Sequence, residues 1–198
     1  SLQKFPKIEL ISDQISNCTN CSLHKTRNHT VPGSGNYKAE ILLIGEAPGA
    51  NEDKEGIPFI GRAGKVLDEL LNHINLSRND IFITNMIKCR PPKNRDPFKE
   101  EIFECSQFID MQIQYINPKV IITLGKFAFE KFFPDQTMSE SRGLPHQWNQ
   151  LTVFPVYHPA AALYNPNLRT KMLEDFEQIQ QILNKLITCK ENHQMKFL

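Results

Sequence analysis

The chain has 198 residues, 40% of them hydrophobic, and 23 Lys+Arg stand against 22 Asp+Glu for a formal net charge of +1. That length and apolar content suit one core, so a single domain over 1–198 is expected. The near-neutral balance removes any bulk-charge argument for nucleic acid and leaves only a local basic patch to look for. No apolar run reaches the roughly 20 residues that span a bilayer, and none resembles a leader, which predicts a soluble intracellular protein with no membrane partner.

In chain order, Ile8, Leu10, Ile11 and Ile15 predict a short helix within residues 1–17, leading into Cys18-Thr19-Asn20-Cys21. His24–Lys38 is polar and broken by Pro32, Gly33 and Gly35, so it reads as loop. Ile41-Leu42-Leu43-Ile44, closed by Gly45, reads as a buried parallel strand. A loop of glycines, prolines and acids follows, holding Glu46, Glu52, Asp53 and Glu55. With those carboxylates and no Walker lysine it is no ordinary phosphate cradle. Val66, Leu67, Leu70, Leu71 and Ile74 give a helix over Arg62–Asn75, and Ile81–Ile87 a second strand ending at Asn85. Two prolines keep Lys88–Arg95 out of any helix. Pro97, Glu100 and Glu101 open a helix running to about Ile116. Val120–Leu124 is a third strand, Phe127–Phe133 a short helix, Asp135–Gln150 a loop and Leu151–Val156 a fourth strand. A final amphipathic helix spans Leu168–Leu186, with a frayed tail after about residue 187. Strands alternating with helices predict a three-layer α/β/α fold around a four-stranded parallel sheet.

Polar groups sit where strands end: Glu46 after the first, Asn85 closing the second, His158 after the fourth. In a parallel sheet these ends share one edge, so all of them are expected to meet in one crevice.

Of the five cysteines, Cys189 stands alone in the C-terminal run and reads as an ordinary thiol. Cys18 and Cys21 form a chelating pair, whereas Cys89 and Cys105 flank one loop and its helix. Four thiolates bind zinc tetrahedrally or hold a cubane iron–sulfur cluster. The spacing leaves both open, the scattered second pair leaning towards the cluster.

Four ordered segments now carry a resemblance: Gly45-Glu46-Ala47-Pro48-Gly49, Gly56–Gly64, Thr84-Asn85-Met86-Ile87-Lys88-Cys89-Arg90-Pro91-Pro92, and Tyr157-His158-Pro159-Ala160-Ala161. With the cysteines they resemble family 4 uracil-DNA glycosylases, the iron–sulfur branch of that superfamily, from Cys18 to about Asp175. The resemblance implies a uracil-DNA glycosylase-like fold and cleavage of the N-glycosidic bond of uracil in single- or double-stranded DNA, leaving an abasic site. It implies a [4Fe-4S] cluster on Cys18, Cys21, Cys89 and Cys105, with zinc as the alternative. A nucleoid-associated monomer is expected.

By the same resemblance, Phe59 stacks the flipped base and Asn85 reads it, since an amide offers a donor to O4 and an acceptor to N3–H. His158 stabilises the leaving anion at O2, with the Ala47 amide as second donor and Gly49 in the same pocket wall. Glu46 orients water or stabilises the oxocarbenium-like sugar, Glu52 and Asp53 being the alternatives. Lys88, Arg90, Lys93 and Arg95 form the local basic patch, with Arg62 and Arg142 as added phosphate contacts. One departure stands out: after His158-Pro159 the run is Ala160-Ala161-Ala162-Leu163-Tyr164, where the family continues with leucines and an arginine. Leu163 is the expected wedge and Tyr164 an alternative stacker. The competing readings are a catalytically dead nucleic-acid-binding module on structural zinc and a glycosylase of broader deaminated-base specificity.

Overall fold

The computed structural model describes residues 8–194, with side chains described through Lys185. The Cys189 thiol and the last four residues therefore lie outside the described part.

Helix α1 (Ile8–Ser16) turns Ile8, Ile11 and Ile15 inward. Strand β1 (Ser34–Gly35) precedes β2 (Ile41–Gly45), whose residues are all buried. The acidic loop contains a short helix, α2 (Ala50–Glu55), which Glu52 caps by accepting the Gly49 N–H at 3.2 Å and Gly56 ends at a φ of 73°. Next come α3 (Arg62–His73) and β3 (Phe82–Asn85). Helix α4 (Lys99–Ile116) starts where Glu101 accepts the Phe98 N–H at 2.8 Å, and stops at Asn117 with a φ of 49°. Strand β4 (Val120–Leu124), helices α5 (Lys126–Glu130) and α6 (Met138–Ser141), and strands β5 (His146–Trp148) and β6 (Leu151–Val156) follow. Helix α7 (Ala161–Tyr164) leads into α8 (Pro166–Gln194), whose backbone stays helical beyond the expected end at Leu186.

The sheet has six strands in the order β1-β3-β2-β4-β6-β5. The expected parallel strands form its centre, β3-β2-β4-β6, in registers such as Gly45 opposite Asn85 and Leu124 opposite Val156. The correction lies at the edges, where β1 and β5 pair antiparallel. Segments this short, inside loops read as irregular, carry no alternation to find.

Alternation within each strand sends odd and even residues to opposite faces. Leu43, Ile83, Ile122 and Phe154 pack against Leu67 and Leu71 of α3 and Met172 and Phe176 of α8. Leu42, Ile44, Phe82, Ile121 and Val153 meet Ile109 and Ile116 of α4, with Ala128 and Phe132 beyond. Each such side chain contributes about 1.5–3 kcal/mol of burial. A separate cluster gathers Ile8, Ile11, Ile15 and Leu23 around Cys89, Cys105 and Phe108. Because β3 lies on one side of β2 and β4 on the other, the strand order reverses at β2, and a crevice opens at its carboxyl end.

Candidate active site

At that end Gly45 has no side chain, and a Cβ there would strike both Asn85 Oδ1 and the Phe59 ring, so the amide and the ring are brought against one point. Asn85 is 1% exposed and its Oδ1 has no hydrogen-bond partner. Leaving a buried amide oxygen unpaired costs about 1–3 kcal/mol, a cost a ligand N–H would remove. Phe59 is buried with a φ of 53°, a left-handed conformation that costs a bulky residue about 1–3 kcal/mol. Its ring stacks on His158 at 5.6 Å between centroids and 25° between planes.

His158 comes close to the end of β4 because Gly125, at a φ of 91°, presents no Cβ to it. Burial lowers the imidazole pKa to about 4, so the ring is neutral at pH 7. Its Nδ1 accepts the Ala160 N–H at 3.1 Å, which places the one ring proton on Nε2 as a donor.

Asn85, Phe59 and His158 line one cleft with Ala47, Leu163 and Arg62, and Tyr164 stands on its rim at 84% exposed. Glu46 and Gly49 line an adjoining pocket that shares Ala47, Glu52, Asn94 and His158 with that cleft. The strand-end groups thus converge. Burial, followed by the charge of Asp96, raises the Glu46 pKa to about 7, while Lys126 pulls it down. The other acids are committed elsewhere. Glu52 accepts the N–H groups of Gly49 (3.2 Å) and Gly61 (3.1 Å) and so ties two walls of the cleft together. Asp53 is buried away from it, accepting the Asn28 backbone N–H at 2.9 Å and Nδ2 at 2.5 Å.

The basic patch needs correction. Lys88 is 1% exposed: its ammonium donates to Thr84 Oγ1 (2.5 Å), Gln112 Oε1 (2.7 Å) and the Asn85 carbonyl (2.9 Å), and no face is left for phosphate. Arg142 is also taken, holding both Asp175 oxygens at 2.8 Å and joining α6 to α8. Arg95 forks onto Glu101 at 2.7 and 2.9 Å and lies over the Phe98 ring at 3.7 Å. Arg90 donates to Asn94 Oδ1 at 2.8 Å. Lys93 and Arg62 remain exposed near the cleft.

The four cysteines Cys18, Cys21, Cys89 and Cys105 form no disulfide with one another and line one cavity. Among the described residues no three acidic, histidine or cysteine side chains close on a single point as ligands of one ion. N–H groups aim at the sulfurs: Arg27 at Cys89 (3.3 Å), the Lys88 amide at Cys105 (3.4 Å) and the Asn20 amide at Cys18 (3.5 Å). Burial pushes the Cys105 thiol up to about 11 and raises Cys21 and Cys89. Thiolates there would need a cation to meet their charge, and these residues fit a metal group in that respect. Arg27 was not singled out from the sequence, although a lone arginine shortly after a Cys-x-x-Cys pair is the signal that could have found it.

Comparison with known proteins identifies the family. The family model described as the uracil DNA glycosylase superfamily matches residues 32–186. A type-4 uracil-DNA glycosylase of Saccharolobus solfataricus is 49% identical over 89% of this chain and 87% of its own length. That of Sulfurisphaera tokodaii is 48% identical over 88% and 84%, and that of Archaeoglobus fulgidus 45% over 87% and 91%. With a family match over most of its length and relatives near half identity along nearly all of it, the chain belongs to the type-4 branch of the uracil-DNA glycosylase superfamily.

Proposed function

We propose that the whole chain works as one domain that hydrolyses the N-glycosidic bond of uracil in DNA and leaves an abasic site, the first step of base excision repair. The observation that carries this reading is the buried Asn85 Oδ1, unpaired beside the Phe59 ring. Uracil satisfies that oxygen with its N3–H and accepts from the amide NH₂ at O4, whereas cytosine presents the opposite pattern. A flipped base stacks on Phe59, a contact of about 1–3 kcal/mol. As the bond breaks, His158 donates its Nε2 proton in a hydrogen bond to O2, where charge gathers, with the Ala47 N–H as second donor. The Glu46 carboxylate orients water or stabilises the positive sugar. Leu163 and Tyr164 occupy the rim from which a side chain enters the gap left by the base.

The cysteines would hold a [4Fe-4S] cluster; thiols ringed about a cavity suit a polynuclear group better than a lone zinc ion. Such a group would tie the segment before Cys21 to the loop at Cys89 and to α4. The enzyme acts as an intracellular monomer on single- and double-stranded DNA, with Lys93 and Arg62 contacting phosphate. Incubation with an oligonucleotide carrying one uracil, followed by alkali, should break the strand at that position. A strand left intact under conditions where the protein is folded would overturn the reading.

A further inference from the structure

Phe59 is placed by a residue outside every motif considered so far. Arg78, in the turn before β3, donates from its guanidinium to the carbonyls of Pro58 (3.0 Å), Phe59 and Gly64 (3.4 Å), and its Nε reaches Asp68 Oδ1 at 2.6 Å. These acceptors belong to the loop that carries Phe59 and to the helix that follows it. Gly64 closes the other side, since a Cβ there would collide with the Phe59 carbonyl. The Phe59 peptide is thus pinned between the first turn of α3 and the guanidinium, at the left-handed φ of 53° that turns its ring onto His158. A strained backbone persists only where surrounding groups over-determine it. A planar fork with five donors reaches four acceptors spread along the loop and α3, one more than the three donors of a lysine ammonium could serve.

We propose that Arg78 is a positioning residue for base recognition, which holds the Phe59 ring in its stacking plane by binding the Pro58, Phe59 and Gly64 carbonyls. The inference rests on the uracil-excising reading and adds to it a residue that touches no substrate.

The test compares Arg78→Met, Arg78→Lys, Phe59→Ala and the Arg78→Met/Phe59→Ala double variant. Loss of one stacked base corresponds to about a 5- to 150-fold fall in kcat/KM on uracil DNA, and Phe59→Ala should show it. Arg78→Met should fall towards the same value and Arg78→Lys should lie between Met and the parent. The double variant should be no slower than Phe59→Ala alone, because the arginine acts only through the ring. A second readout needs no activity: the proton NMR shifts of the His158 imidazole, displaced by the Phe59 ring current, should move in Arg78→Met as they do in Phe59→Ala. Unchanged His158 shifts in Arg78→Met, or a double variant whose losses multiply, would overturn the proposal. Should Arg78→Met not fold, Arg78→Lys carries the same cycle and the same spectrum. A parent protein that leaves uracil DNA intact sinks the functional reading, while the imidazole shifts still decide the role of Arg78.

Discussion

At the ends of β2 and β3 the protein keeps a buried amide oxygen unpaired and a phenylalanine in a left-handed backbone. Around Cys18, Cys21, Cys89 and Cys105, by contrast, apolar residues wall the cavity that the thiols line, and no buried side-chain nitrogen or oxygen there, among the described residues, lacks a partner. Lys88 joins the two regions, its ammonium on the Asn85 carbonyl and its own N–H on Cys105 Sγ. Under the proposed function, a base-reading cleft needs hydrogen-bonding capacity left over for its ligand at a cost in stability, whereas the cysteine region would keep only its sulfurs for a metal group.

The sharpest way to break this comparison is to remove the spare group. Asn85→Ala should lower kcat/KM on uracil DNA by about 10⁴-fold, the discrimination a hydrogen-bonding site commands. Its melting temperature should not fall through loss of an Oδ1 bond, because that oxygen makes none. An equal loss of stability would place the amide among the structural groups. Lys88→Met tests the opposite region. It strands three neutral acceptors while removing a cation that burial disfavours, and should destabilise the fold by about 1–3 kcal/mol in denaturant titration, with an unchanged salt slope of DNA binding.

A smaller effect separates the acid from the imidazole. With the Glu46 pKa raised to about 7, its carboxylate is lost as pH falls through that value. Activity that depends on the anion should therefore rise with pH through about 7 and level off above it, with His158 neutral throughout because its pKa is about 4. Glu46→Gln should flatten that limb, and a profile unchanged by the substitution would remove Glu46 from the reaction. The smallest effect belongs to the surface: Lys93→Ala should reduce the salt slope of duplex binding by about 0.9 and leave kcat nearly untouched.

The parallel strands were legible because Ile41–Ile44, Ile81–Asn85 and Val120–Leu124 are apolar on both faces, which only a sheet covered twice requires. From those strand ends the meeting of Glu46, Asn85 and His158 followed without side-chain detail. What escaped was set by partners distant in sequence. Lys88, in a run that ends in two prolines, reads as exposed loop, and Gln112 of α4, Thr84 of β3 and the Asn85 carbonyl turn it inward. Arg142 read as a free cation because Asp175, on another helix, gives no local sign of pairing. Arg78 was invisible for a further reason: three of its acceptors are backbone carbonyls, which every residue carries and no pattern marks.

The central claim, that the spare amide at position 85 selects the base, is tested most directly by single-turnover excision from oligonucleotides carrying uracil or cytosine at one position, with the parent and Asn85→Asp compared. Aspartate keeps the size but loses the amide donor, so the uracil-to-cytosine rate ratio should collapse by about 10³-fold or more. A ratio that stays at the parent value would contradict the account.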